Sequence, residues 1–160
     1  MENRLEILRR KVDELVDLVQ RDKQRYFFVH LYGVSHFGAI LAIRRGLDPE
    51  LASACGMLHD IYAVISGSYD NHAIIGSIEA KKILESINLF TNSEIDIITT
   101  AISRHSDKDK KHLPYDEILK DADVLHHCLY NPSFPVKEYE QSRYSNILIE
   151  LGANTAGLIG

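Results

Sequence analysis

Residues 46–61 read Gly-Leu-Asp-Pro-Glu-Leu-Ala-Ser-Ala-Cys-Gly-Met-Leu-His-Asp-Ile. Gly46 is a natural end for a helix, because only glycine enters the left-handed cap at no steric cost. Asp48 is placed to cap the next helix and Pro49 suits its first turn, which leaves an almost uncharged helix running from about 48 to 64. Upstream, no Asp, Glu, Lys or Arg occurs from Tyr26 to Ile43. That length approaches a membrane span, yet His30, Ser35 and His36 interrupt it, and polar groups are costly in hydrocarbon. The stretch is therefore read as the central helix of a bundle, over about 25–45, with no membrane as partner.

Helical punctuation continues outward in both directions. Leu5, Leu8, Val12, Leu15, Val16 and Val19 mark an amphipathic helix over about 3–20. Asp70 or Asn71 is placed to cap a helix over about 72–87. Thr91 with Glu94 forms a capping-box pattern for another, reaching about His105. Asp107–Lys111 is a charged loop, and Pro114 opens a helix to about Leu129. After Pro132 and Pro135 a last helix spans about 137–151, before a tail over 152–160 expected to be mobile. No run has strand periodicity and no segment repeats. The expectation is an all-α, single-domain bundle of six to seven helices: an N-terminal amphipathic helix (1–24), a core (25–130) and a C-terminal helix with its tail (131–160).

A net charge of −5 argues against general nucleic-acid affinity, since no phosphate-neutralising surface follows from it. Cys55 and Cys128 have no framework spacing, which favours a reducing compartment. The charged first ten residues lack the apolar core of a secretory signal, and a cytoplasmic location is expected.

Several polar groups fall on inward faces. His30 shares a face with Val34, Phe37 and Leu41, and His105 continues the row Ile95, Ile98, Ile102. His72 stands at a first turn. Asp123 lies beside Ala122 and Leu125 with His126 one turn on, whereas Asp121 points elsewhere. A single histidine on an apolar face is ordinarily a hydrogen-bonded core residue. Several histidines and aspartates directed inward from separate helices would make too polar a core unless a cation satisfies them. None of these groups is a cysteine, so a thiolate-type structural zinc site is not expected.

The order His30, His59-Asp60, Asp123 resembles the HD-domain superfamily of metal-dependent phosphohydrolases. The likeness runs through His30, Val34, Gly38, Ala42, the Gly46–Glu50 turn, Leu58-His59-Asp60-Ile61, His72-Ala73-Ile74-Ile75-Gly76, Ser103-Arg104-His105 and Asp121-Ala122-Asp123-Val124-Leu125. It selects His30 over His36 as the first ligand. The resemblance implies that His30, His59, Asp60 and Asp123 bind one metal. It also implies that His72 and His105 complete a second site, with Asp60 bridging and essential to catalysis. One or two divalent ions (Fe, Mn, Co or Zn) suit such an imidazole and carboxylate set, and paired ions activate water and neutralise phosphoryl charge.

Two departures from the family pattern stand out. Ala63 occupies a position where many members have lysine, and Ser106 replaces a second histidine. Arg104 and Lys108, beside His105, are the expected substrate-binding cations, against the alternative that the Asp107–Lys111 run is simply solvated. His36, His112 and His127 receive no role; His126, on the Asp123 face, is a candidate for supporting a ligand or moving a proton. The function expected is hydrolysis of a small phosphorylated substrate, a nucleotide foremost. A dinuclear iron oxygenase of the same fold and a non-catalytic metal- or nucleotide-binding domain are the alternatives. A homodimer through the N-terminal helix is a possible assembly.

Overall fold

The computed structural model describes residues 3–153; the end of the expected mobile tail, 154–160, lies outside the described residues. Eight helices follow one another: α1 (Arg4–Asp17), α2 (Arg21–Arg44), α3 (Pro49–Leu58), α4 (Ile61–Ser66), α5 (His72–Ile87), α6 (Asn92–Arg104), α7 (Pro114–Tyr130) and α8 (Glu138–Glu150). No strand occurs among the described residues, and the all-α expectation is met.

The starts of these helices follow from local chemistry. Asp48 accepts from the Glu50 N–H ahead of Pro49, and Thr91 and Glu94 form the reciprocal capping box of α6. Asn71 sits at the cap position of α5, but in a left-handed conformation and with no capping hydrogen bond from its side chain. The largest departure is the helix expected over 48–64. It is divided at His59-Asp60, where Asp60 leaves helical geometry (φ −107°, ψ 20°). Successive side chains on an unbroken helix diverge by about 100°, so this break lets two adjacent residues serve one centre.

Helix α2 is long and apolar enough to cross a membrane by length and composition alone. Here it is the middle of the bundle, with Leu31, Val34 and Leu41 fully buried and α3 and α7 against it. Helices α5 and α6 pair against each other, α1 lies across α2–α5, and α8 covers α7. Glycine sets a close main-chain approach: a Cβ on Gly56 would come within 2.5 Å of the Ser35 backbone. Helices α2 and α3 therefore touch main chain to main chain. At the far end, Arg45 and Arg143 clamp the buried Asp121 carboxylate at 2.5 and 2.6 Å, tying α2, α7 and α8 together.

Candidate metal centre

Five places in the fold supply the cluster. His30 comes from the middle of α2, His59 and Asp60 from the α3–α4 break, His72 from the first turn of α5, His105 from the end of α6 and Asp123 from the middle of α7. All but His72 are buried. Asp60 sits between two groups. Its Oδ2 lies 3.3 Å from His30 Nε2 and 3.5 Å from His59 Nε2. Its Oδ1 lies 3.5 Å from His72 Nε2 and 3.4 Å from His105 Nε2. Asp123 Oδ1 joins the first group, 3.6 Å from His30 and 3.8 Å from His59.

The tautomers of three rings follow from their outer nitrogens. His59 Nδ1 faces the Gly56 carbonyl at 2.8 Å, His72 Nδ1 the Tyr69 carbonyl at 2.7 Å and His105 Nδ1 the Ile102 carbonyl at 2.7 Å. Each Nδ1 must carry the proton, which leaves the Nε2 of a neutral ring with a bare lone pair aimed inward. His72 and His105 then face each other lone pair to lone pair at 3.1 Å. Two lone pairs do not bond; a cation between such groups satisfies both. Asp60 Oδ1 and Asp123 Oδ1 are likewise buried without a hydrogen-bond partner, a costly condition for carboxylate oxygens. The residues present fit divalent metal, in groups such as His30–His59–Asp60 and Asp60–His72–His105.

Without a cation, the same groups shift one another's titration. Burial pushes His59 down to about 4, so it is a neutral donor near neutral pH. Burial alone would raise Asp60, but His59, His105 and His30, once protonated, outweigh it and hold the carboxyl well below the usual range. Asp123 is lowered against its burial by Lys108 first, then by His59, His127 and His30.

The expected cations part company. Lys108 Nζ lies 2.6 Å from Asp123 Oδ2 and 3.1 Å from the His105 carbonyl, at the mouth of the cluster. Arg104 is not brought there: its guanidinium pairs with Asp116 at 2.9 Å, because neighbours on a helix diverge and His105 takes the inward direction. The loop carrying Lys108 is far from freely solvated. The fully buried Lys120 bonds the carbonyls of Asp107 and Lys110, and Arg143 bonds that of Lys108 at 2.9 Å. His36 is exposed, and His112 is taken up by Lys120.

Sequence reasoning missed the outer wall. A cleft of about 340 Å³ over the cluster is lined also by Tyr26, Tyr69, His127, Lys137, Tyr139 and Glu140. His127 bridges two carboxylates, with Nε2 3.3 Å from Asp123 Oδ1 and Nδ1 2.8 Å from the buried Glu140. Its position four residues after Asp123 was a usable helical signal. Lys137 and Glu140 lie beyond the Pro132 and Pro135 breaks, where no spacing connects them to Asp123.

The model of the HD domain matches residues 27–127. The chain belongs to the HD-domain family. Members of this family bind divalent metals, and the superfamily is one of metal-dependent phosphohydrolases. The chain is 40% identical over 79 residues to ribonuclease Y of Clostridium botulinum, a match covering 46% of this chain and 15% of that protein. It is 34% identical over 98 residues to ribonuclease Y of Clostridium novyi, covering 58% and 18%. The chain thus spans less than a fifth of the length of these relatives. In fold it matches the crystal structure of a predicted HD superfamily hydrolase from an uncultured Thermotogales bacterium, with a TM-score of 0.59 and 21% identity. That match covers 94% of this chain and 96% of the other.

Proposed function

We propose that this HD domain hydrolyses a small phosphorylated compound, a nucleotide foremost. The observation that carries the reading is the division of Asp60, whose two oxygens face two histidine groups, beneath a cleft whose wall holds Lys108 and Lys137. Divalent metal bound there supplies an activated water and a positive counter-charge for phosphoryl oxygens. The protein's own contribution is positional. Lys108, held by Asp123 and the His105 carbonyl, presents a fixed cation to the anionic group, and Lys137 lines the same cleft. Charge fixed in advance stabilises the transition state without reorganisation.

Support for a nucleoside portion comes from the next space along. Tyr26 and Tyr69 line the cleft and also a mainly apolar groove of about 690 Å³ between the α1–α2 turn and α4, with Leu15, Val19, Phe27 and Val64. Both rings are about half exposed, giving flat aromatic surface beside the phosphate position.

The test is a panel of phosphomonoesters, mononucleotides, dinucleoside polyphosphates and cyclic dinucleotides, given to protein whose metal content is established by elemental analysis. Release of phosphate or nucleotide is expected, abolished by Asp60→Ala. Metal-replete protein that hydrolyses nothing on the panel would overturn the reading. The identity with ribonuclease Y favours one second reading, a phosphodiester of RNA as substrate, so a short single-stranded RNA belongs on the same panel.

A further inference from the structure

Three of the ligand histidines are oriented alike, each giving its Nδ1 proton to the carbonyl three residues earlier: Gly56, Tyr69 or Ile102. His30, inside α2, makes no such bond. Its Nδ1 instead meets Nδ1 of His126, at 3.0 Å. His126 is buried and belongs to none of the candidate metal groups.

We propose that His126 is the positioning residue for His30, fixing its tautomer and its direction toward the metal, and that Gly33 exists to admit it. A neutral imidazole with a bare Nε2 carries its proton on Nδ1, so a His30 that faces the cluster like the other three rings donates across the 3.0 Å contact. His126 then accepts at Nδ1 and keeps its own proton on Nε2. His30 Nε2 is then the bare atom, facing His59 Nε2 at 3.0 Å and Asp60 Oδ2 at 3.3 Å. The bond thus ties a ligand on α2 to a side chain of α7.

Gly33 makes the geometry possible. A Cβ at that position would lie 2.2 Å from His126 Cδ2 and 2.7 Å from its Nε2. Alanine there favours the helix in isolation, but it would push the ring out of its place against α2. A glycine in mid-helix, otherwise an unfavourable choice, is accounted for by the imidazole that rests on it.

The role rests on the metal reading of the cluster, and two measurements separate them. In metal-free protein with ¹⁵N-labelled histidine, long-range nitrogen–proton correlations are expected to show His30 protonated at Nδ1 and His126 at Nε2. The reverse pattern would overturn the proposal, whatever metal binds. In cobalt(II) competition titrations, His126→Leu and Gly33→Ala are each expected to weaken binding about 10–100-fold, with His126→Asn, which keeps an acceptor, recovering part of the loss. In a His30→Ala background, His126→Leu should cost nothing further, since its effect passes through His30. Unchanged affinity in both single variants, or an equal added loss in the His30→Ala background, would reduce His126 to packing. Wild-type protein that takes up no cobalt would sink the metal centre together with this role.

Discussion

Gly56 rests against Ser35 so closely that a Cβ on the glycine would fall 2.5 Å from the serine backbone. This contact sets the separation of α2 and α3, and hence the 3.0 Å between His30 Nε2 and His59 Nε2. The carbonyl of Gly56 also receives the His59 Nδ1 proton. One residue thus fixes both the spacing and the tautomer on that side of the cluster.

Gly56→Ala is accordingly expected to force α2 and α3 apart, costing about 1–3 kcal/mol as an overpacked core contact. Urea unfolding measures the stability loss, and metal competition should show weaker binding by the protein that remains folded. Wild-type stability in this variant would mean that the two backbones separate without resistance.

Glu117 offers a pH-dependent test away from the metal. Its carboxyl is lowered to about 2 against the burial that would raise it, by Lys120 at 2.5 Å, the His112 N–H and Arg143. A lowered carboxylate stabilises the folded state above its unfolded value of about 4.5, and that stability is lost as pH falls toward 2. Glu117→Gln should therefore destabilise by about 1–2 kcal/mol at pH 7, discounted for partial solvent access. The difference from wild type should shrink below pH 4.5 and vanish near pH 2. Denaturant midpoints across that range decide it; a constant difference would assign the effect to packing.

The tyrosines at the junction of cleft and groove predict a division between kinetic constants. Tyr69→Ala and Tyr26→Ala remove aromatic surface expected to meet the non-phosphate part of the substrate. Each should raise KM for the best nucleotide about 10-fold, the scale of one lost stacking contact. Turnover of a compound as small as methyl phosphate should be little changed. Equal losses on both compounds would detach the groove from substrate binding.

Where the sequence carried a chemical signal, the structure is close to what it implied. Asp48-Pro49, the Thr91–Glu94 box and Pro114 each start a helix at the expected residue, because caps act within a few residues. The break at His59-Asp60 had no such signal: neither residue is a helix breaker, and the interruption belongs to the tertiary cluster that the pair faces. Arg104 shows the limit of proximity along the chain, since its neighbour His105 turns inward while its own guanidinium reaches Asp116. Lys120 reads as an ordinary surface lysine, yet it is fully buried and holds the loop that carries Lys108. Such placement depends on which carbonyls a distant turn leaves unpaired, and no local pattern encodes that.

The bond that His127 donates to Glu140 gives α8 a bearing on the cluster that its distance along the chain conceals. That helix lies outside the stretch matched by the HD family, yet its carboxylate anchors an imidazole in contact with Asp123, while neighbouring Lys137 and Tyr139 wall the cleft. Trimming the protein back to the shared region would strip away one side of the substrate's enclosure. Grafting a foreign terminal helix onto the same core should accordingly redirect which phosphate compounds are accepted, with the metal ligands themselves left untouched.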